Sequence, residues 1–212
     1  MKAIIFDFDG TLANTLPLCF YAFQNVFQKF DNKDLSPEAV KAMFGPSETG
    51  IIKENLLNAN KEQAIEWYYE KYAEHHHALV EPNNDIVNLI KLLKERGFKL
   101  GIVTGKAKRS LDISLEALQM ENIFDVIITG DDVIEPKPNP EGINKALSIL
   151  QLQHKEAMFI GDSDADMYAG IQANVLTVGV QWLPDYQTSA FSIEPHISFN
   201  RVSEFINYFI GC

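Results

Sequence analysis

Four short stretches of this 212-residue chain gather side chains that could do chemistry. Asp7-Phe8-Asp9-Gly10-Thr11 ends the apolar run Ala3–Phe6, and Thr104-Gly105-Lys106 ends Lys99–Val103. Glu135-Pro136-Lys137-Pro138 stands in a polar, proline-rich stretch, and Gly161-Asp162-Ser163-Asp164-Ala165-Asp166 follows the apolar residues 157–160. An apolar run does not welcome bare carboxylates, because a buried charge is costly unless it is paired or bound to metal. A hard cation resolves the difficulty. Mg²⁺ is held by a few carboxylates, waters and substrate phosphate, and Asp7 and Asp162 can share one ion if their runs are neighbouring strands, about 4.8 Å apart.

The same parts suit phosphoryl transfer. The cation and Lys137 neutralise phosphate charge, the Thr104 hydroxyl bonds a phosphoryl oxygen, and backbone N–H groups around Gly105 add anion donors where a helix starts. A carboxylate beside phosphorus can then attack it, dividing one hard hydrolysis into two easier steps.

These residues need a scaffold that brings distant segments to one place. Five apolar runs read as buried strands: Ala3–Phe6, Lys99–Val103, 126–129, 157–160 and 175–180. Amphipathic segments at 85–96, 107–120, 140–150 and 166–173 alternate with them. Asn139 reads as a helix N-cap with Pro140 in the first turn, and Gly97 as a helix stop. This alternation predicts an α/β fold, a Rossmann-like parallel sheet wrapped by helices, with chemistry outside the carboxyl ends of the strands. One region breaks the rhythm: helical periodicity recurs at 18–30, 37–43 and 62–73 with no strand-like run between. Residues 15–82 therefore read as an inserted helical cap, and residues 1–14 and 83–212 as the catalytic core, hinged near 14–17 and 81–84.

Composition limits the function classes. With 18 basic and 29 acidic residues the formal charge is −11, which repels nucleic acid and anionic membranes and requires local positive charge for any phosphate. Cys19 and Cys212 are too few and too far apart for a disulfide framework, and no apolar run is long enough to span a bilayer. A soluble cytoplasmic protein acting on a small molecule, as monomer or dimer, is the expectation.

DFDGT, VTG, the lysine of KPNP and IGDSDAD, in this order at strand ends, resemble the four motifs of the haloacid dehalogenase (HAD) superfamily. The resemblance spans nearly the whole chain, insertion included, and is greatest to the phosphoglycolate-phosphatase-like and β-phosphoglucomutase-like branch. It implies an Mg²⁺-dependent phosphatase forming an aspartyl-phosphate on Asp7. Asp9 would protonate the leaving oxygen and activate water, while its backbone carbonyl ligates the metal. Thr104 and Lys137 would hold the phosphoryl group, with Gly10 and Gly105 beside it and Lys137 orienting Asp7. Asp162 would bind the metal directly, with Asp166 in support.

Within that superfamily the acid at Asp9 argues against dehalogenase and phosphonate-hydrolase chemistry. Cys19 stands where the mutase branch carries a proton-handling histidine, which favours hydrolysis over a β-phosphoglucomutase-type reaction. A non-catalytic ligand-binding protein of the same fold is the alternative from another class. Relatives often carry Asp where this chain has Asn14, so the hinge is expected to differ while catalysis survives. Asp164 reads as a helix N-cap or first-turn acid, since Met167 and Ala173 break the calcium-loop pattern. Gly45–Gly50 lacks the lysine of a phosphate-binding loop and reads instead as a substrate-contacting loop of the cap. His75-His76-His77 reads as an exposed helix end, because consecutive helical residues point apart.

Overall fold

The computed structural model describes residues 1–209 and 211. Six parallel strands form one sheet in the order β3-β2-β1-β4-β5-β6: β1 (Ala3–Phe6), β2 (Lys99–Val103), β3 (Val126–Ile128), β4 (Ala157–Gly161), β5 (Leu176–Val180) and β6 (Ile197–Phe199). The first strand is therefore central, flanked by β2 and β4, with Phe6 level with Ile102 and Ile160. Buried on both faces, β1 is a continuous apolar run, as parallel strands require. Ile4 and Phe6 face one core and Ala3 and Ile5 the other, all with no exposed surface. Truncating one such isoleucine to alanine removes about 2–5 kcal/mol.

Helices cover both faces. α5 (Asn84–Glu95), α6 (Lys108–Ala117) and α9 (Val202–Phe209) add apolar faces to the larger core, and α7 (Glu141–Leu150) and α8 (Asp164–Gln172) to the smaller. Gly97 does stop α5: its φ is +80°, its N–H donates to the Lys94 carbonyl, and Phe98 N–H reaches back to Leu93. This is the left-handed C-terminal cap for which glycine is suited. α7 starts one residue later than its sequence signal, with the Asn139 side chain accepting from Glu141 N–H at 2.9 Å.

Between β1 and α5 lie α1 (Leu16–Asp31), α2 (Pro37–Lys41), α3 (Glu48–Asn55) and α4 (Lys61–Leu79). Phe23, Phe27, Tyr68 and Tyr72 are buried, and Phe23 packs on Tyr68 with ring centroids 4.7 Å apart. Phe20 and Trp67 are only partly buried against the same core.

Several elements differ from the sequence reading. Residues 48–50, expected in a loop, open α3. α4 runs past residue 73 to Leu79, and the histidine run near its end is only partly exposed: His77 is exposed, but His76 is buried and bonds Ser114 Oγ of α6 at 3.0 Å. His75 meets Tyr21 Oη at 2.9 Å. Alternation of direction was right, but here one direction points inward. β6 and α9 lie outside the segments read as strand or helix: Ser198 interrupts the apolar residues of Ile-Ser-Phe, and α9 has no counterpart among the amphipathic segments. Phe205 secures α9 against Phe199 and Trp182. Among the described residues no helix is long and apolar enough to cross a membrane. Cys19 is a buried free thiol, and Cys212 lies outside the described residues.

Candidate active site

The carboxyl ends of β1, β2 and β4 and the loop after β3 meet at one cavity of about 260 Å³. Asp7 follows β1 directly, and its N–H continues the ladder to the Ile160 carbonyl at 2.8 Å. Asp162 is the first residue beyond β4. Because β1 and β4 are hydrogen-bonded neighbours in register, their terminal aspartates are forced together. Oxygens of Asp7, Asp162 and Asp166 lie within 4.8 Å of one another, all three residues buried.

Lys137 reaches this trio from the loop before α7. Its Nζ stands 2.9 Å from Asp7 Oδ1 and 2.6 Å from Asp166 Oδ1. Burial works against its charge, but Asp166 and Asp7 outweigh that and raise its pKa. Burial pushes Asp7 up to about 7 against the lowering pull of Lys137, with Asp166 adding to the rise. Asp162 is driven well above the carboxylate range by burial, then by Asp166 and Asp7. Three carboxylates facing one ammonium leave an excess of negative charge in a dry place. A divalent cation fits this donor set of hard oxygens.

Local structure explains each member. Gly10 has φ +80°, and a Cβ there would lie 2.2 Å from Asp162 Oδ2. Only glycine lets the first loop approach that carboxylate. The Gly10 N–H donates to the Ala13 carbonyl, so this residue seats Asp162 and is not part of the cavity wall. Asp162 also accepts from Thr11 Oγ1 at 3.3 Å and Gln187 N–H at 2.5 Å. Asp166 is the third residue of α8 in a reciprocal cap with Ser163, which is the N-cap; Asp164 is the first-turn acid. Asp166 Oδ2 takes Ser163 Oγ at 2.6 Å while Oδ1 holds Lys137, so both oxygens are engaged. Thr104 lines the cavity beside Gly105, its N–H bonded to the Ile128 carbonyl.

The Asp9 side chain turns away from the trio. It accepts from Thr15 Oγ1 and pairs with Lys106 Nζ at 3.2 Å. Lys106 is buried, and its other carboxylate partner is Glu48 of α3, also at 3.2 Å. Burial disfavours the ammonium, yet the groups facing it, Asp9 foremost, hold its pKa well above the ordinary value. Lys106 and Glu48 carry no signal of their own in the sequence, although one follows Thr104-Gly105 and the other lies within residues 45–50. Their meeting depends on how α3 docks against the start of α6, for which no local pattern exists. The 45–50 stretch does border the cavity, through Gly45, Pro46 and Glu48, with Phe44 and Ile51 on either side of it. Asn14 clasps Asp185: its Nδ2 donates to Asp185 Oδ2 at 3.0 Å, and Asp185 N–H donates back at 3.3 Å. An aspartate at position 14 would set two carboxylates against each other, which accounts for the asparagine.

Comparison with known proteins gives a consistent picture. The family model described as haloacid dehalogenase-like hydrolase matches residues 4–180. A pyrophosphatase PpaX from Bacillus mycoides is 31% identical over 97% of this chain and 95% of its own length. The protein of that name from Anoxybacillus flavithermus is 32% identical over 98% and 96%. Among solved structures, a predicted phosphoglycolate phosphatase from Haemophilus somnus superposes with a TM-score of 0.84 at 21% identity, covering 98% of this chain and 97% of its own. CbbY from Rhodobacter sphaeroides, in complex with phosphate, superposes with a TM-score of 0.83 at 22% identity, covering 97% and 96%.

Proposed function

From the premise that this chain belongs to the haloacid dehalogenase-like hydrolase family, we propose that it is an Mg²⁺-dependent phosphatase of a small phosphorylated metabolite. The observation that carries this reading is the convergence of Asp7, Asp162 and Asp166 on one point with Lys137 against them, inside a cavity. Asp7, Asp162 and the Asp9 carbonyl would hold Mg²⁺, with Asp166 in support. When bound, the ion supplies neutralisation of phosphoryl charge and lowers the pKa of the carboxylates around it.

The side chains divide the remaining work. Lys137 and the Thr104 hydroxyl hold the phosphoryl oxygens, and Lys137 also aims Asp7. An Asp7 oxygen attacks phosphorus in line, the bond to the leaving oxygen breaks, and Asp9 gives that oxygen a proton. Asp9 then takes a proton from water, which attacks the aspartyl-phosphate and frees phosphate and Asp7. Residues 15–82 serve as a cap that shields the reaction from bulk water over residues 1–14 and 83–212.

Hydrolysis is favoured over the mutase reaction by Cys19. Burial pushes its thiol up to about 12, which leaves it neutral and unfit to handle protons as a histidine would. The names of the relatives make pyrophosphate and phosphoglycolate the first substrates to test. The purified protein is expected to release phosphate from p-nitrophenyl phosphate only with Mg²⁺, and Asp7→Asn to abolish release. Full activity in Asp7→Asn would overturn the mechanism.

A further inference from the structure

The cavity is lined by two kinds of residue: the polar groups at the strand ends and an apolar set from the helices between β1 and α5. The lining includes apolar residues from the α1–α3 stretch, Phe23, Phe44, Pro46 and Ile51, with Glu48 and Lys106 lining the same cavity. Among the described residues lining the cavity, Lys106 and Lys137 are the two cations, and Lys137 belongs to the Asp7 and Asp166 carboxylates. Any negative charge on the leaving group would have to be met by Lys106.

That lysine is already claimed. Its ammonium lies between Asp9 and Glu48, at 3.2 Å from each, and over the Tyr72 ring at 4.5 Å. Glu48 is itself anchored, since its Oε2 accepts from Ala107 N–H at 2.5 Å and its Oε1 from Ser110 Oγ at 2.5 Å. Both groups are buried, so water screens the pair weakly. Glu48 by itself matches the ammonium's charge and is held in place, so an anion approaching Lys106 would also meet the Glu48 carboxylate.

Resting on the phosphatase reading, we propose that Glu48 is a specificity-determining residue that restricts the site to phosphate monoesters of uncharged alcohols. By saturating Lys106 it withholds the cation that a carboxylate or second phosphate would need, while the apolar wall accepts a neutral aliphatic or aromatic group. Like charges brought together at a binding surface are the usual means of excluding a competing ligand. The second phosphate of pyrophosphate and the carboxylate of phosphoglycolate both fall on the excluded side.

The test compares kcat/KM at saturating Mg²⁺ for phosphoglycolate and 2-hydroxyethyl phosphate, which differ in a carboxylate against a hydroxymethyl group. Phenyl phosphate and pyrophosphate complete the panel. Wild type is expected to prefer the neutral member of the pair by about tenfold or more. Glu48→Gln keeps the amide oxygen for Ala107 N–H, frees Lys106 of one charge, and should shift the ratio toward phosphoglycolate by about tenfold. The double variant Glu48→Gln with Lys106→Met should lose that shift. Wild-type turnover of phosphoglycolate or pyrophosphate equal to the neutral esters would overturn the specificity inference while leaving the phosphatase reading intact. Absence of turnover across the whole panel would instead overturn the phosphatase reading.

Discussion

Replacing Lys137 with methionine isolates the cation on which the site's electrostatics rest. Methionine keeps the unbranched stem and removes only the charge. Lys137 Nζ stands 2.9 Å from Asp7 and 2.6 Å from Asp166, with all three side chains largely buried. At an effective dielectric of ~20, each such contact carries about 6 kcal/mol of gross Coulomb attraction. Relaxation, water entry and Mg²⁺ cancel part of it; retaining half of one contact leaves about 3 kcal/mol. That corresponds to a loss of about 10²-fold in kcat/KM, at roughly 1.4 kcal/mol per decade.

The pH dependence has a definite sign. Asp7 must be ionised to attack, and Lys137 is the main influence lowering a pKa that burial has raised to about 7. Without the lysine that pKa rises further, so the acidic limb of the rate profile moves to higher pH and part of the lost rate returns in alkaline buffer. Lys137→Arg keeps the charge and should hold the limb near its wild-type position. The assay is phosphate release across pH 5–9, pH values typical of side-chain titration, at saturating Mg²⁺ with circular dichroism to confirm folding. A Lys137→Met variant within threefold of wild type, with its acidic limb unmoved, would refute the electrostatic reasoning.

Two further outcomes follow from buried charge. Mg²⁺ is expected to raise the melting temperature of wild type, and Asp162→Asn should abolish that rise. Without the ion it should cost little or even stabilise, because the carboxylate it removes is buried against Asp7 and Asp166; differential scanning fluorimetry with and without Mg²⁺ reads both. His76 is buried at the contact of α4 with α6, and burial first, then His77 and Lys106, lower its pKa from 6.5 to about 4. The unfolded chain therefore takes up a proton that the folded one refuses. Stability is lost as pH falls from about 6.5 towards 4, by roughly 2 kcal/mol for this one group. His76→Leu, which leaves Ser114 bonded to Tyr72 at 2.8 Å, should show that much less acid sensitivity in urea unfolding at pH 4.5 against pH 7; equal sensitivity would count against a neutral buried imidazole.

Much of the scaffold was legible along the chain because its signals are local. Apolar runs too short for helices mark β1 to β5, and the switch from β1 to helical periodicity marks the helical stretch that precedes α5. A parallel strand buried on both faces leaves its first polar residue at its carboxyl end, so Asp7, Thr104 and Asp162 announced themselves by position. Lys137 became legible only in company with them. β6 stayed hidden because Ser198 interrupts its apolar residues, whereas the equally short edge strand β3 is an unbroken Val-Ile-Ile; what identifies β6 is the neighbour it pairs with, Val178 to Val180.

Tertiary structure alone decided the rest. Strand order placed β4 beside β1 and so brought Asp7 within reach of Asp162, and a loop far along the chain delivered Lys137. Docking of the inserted helices carried Glu48 to Lys106 and Ala107, and turned His76 inward onto Ser114. Sequence determines which groups are available and which backbone states they favour, since both depend on near neighbours. Which charges end up facing one another across a dry interface depends on how finished elements pack, and electrostatic energy at such sites is a function of those distances and of the water excluded between them.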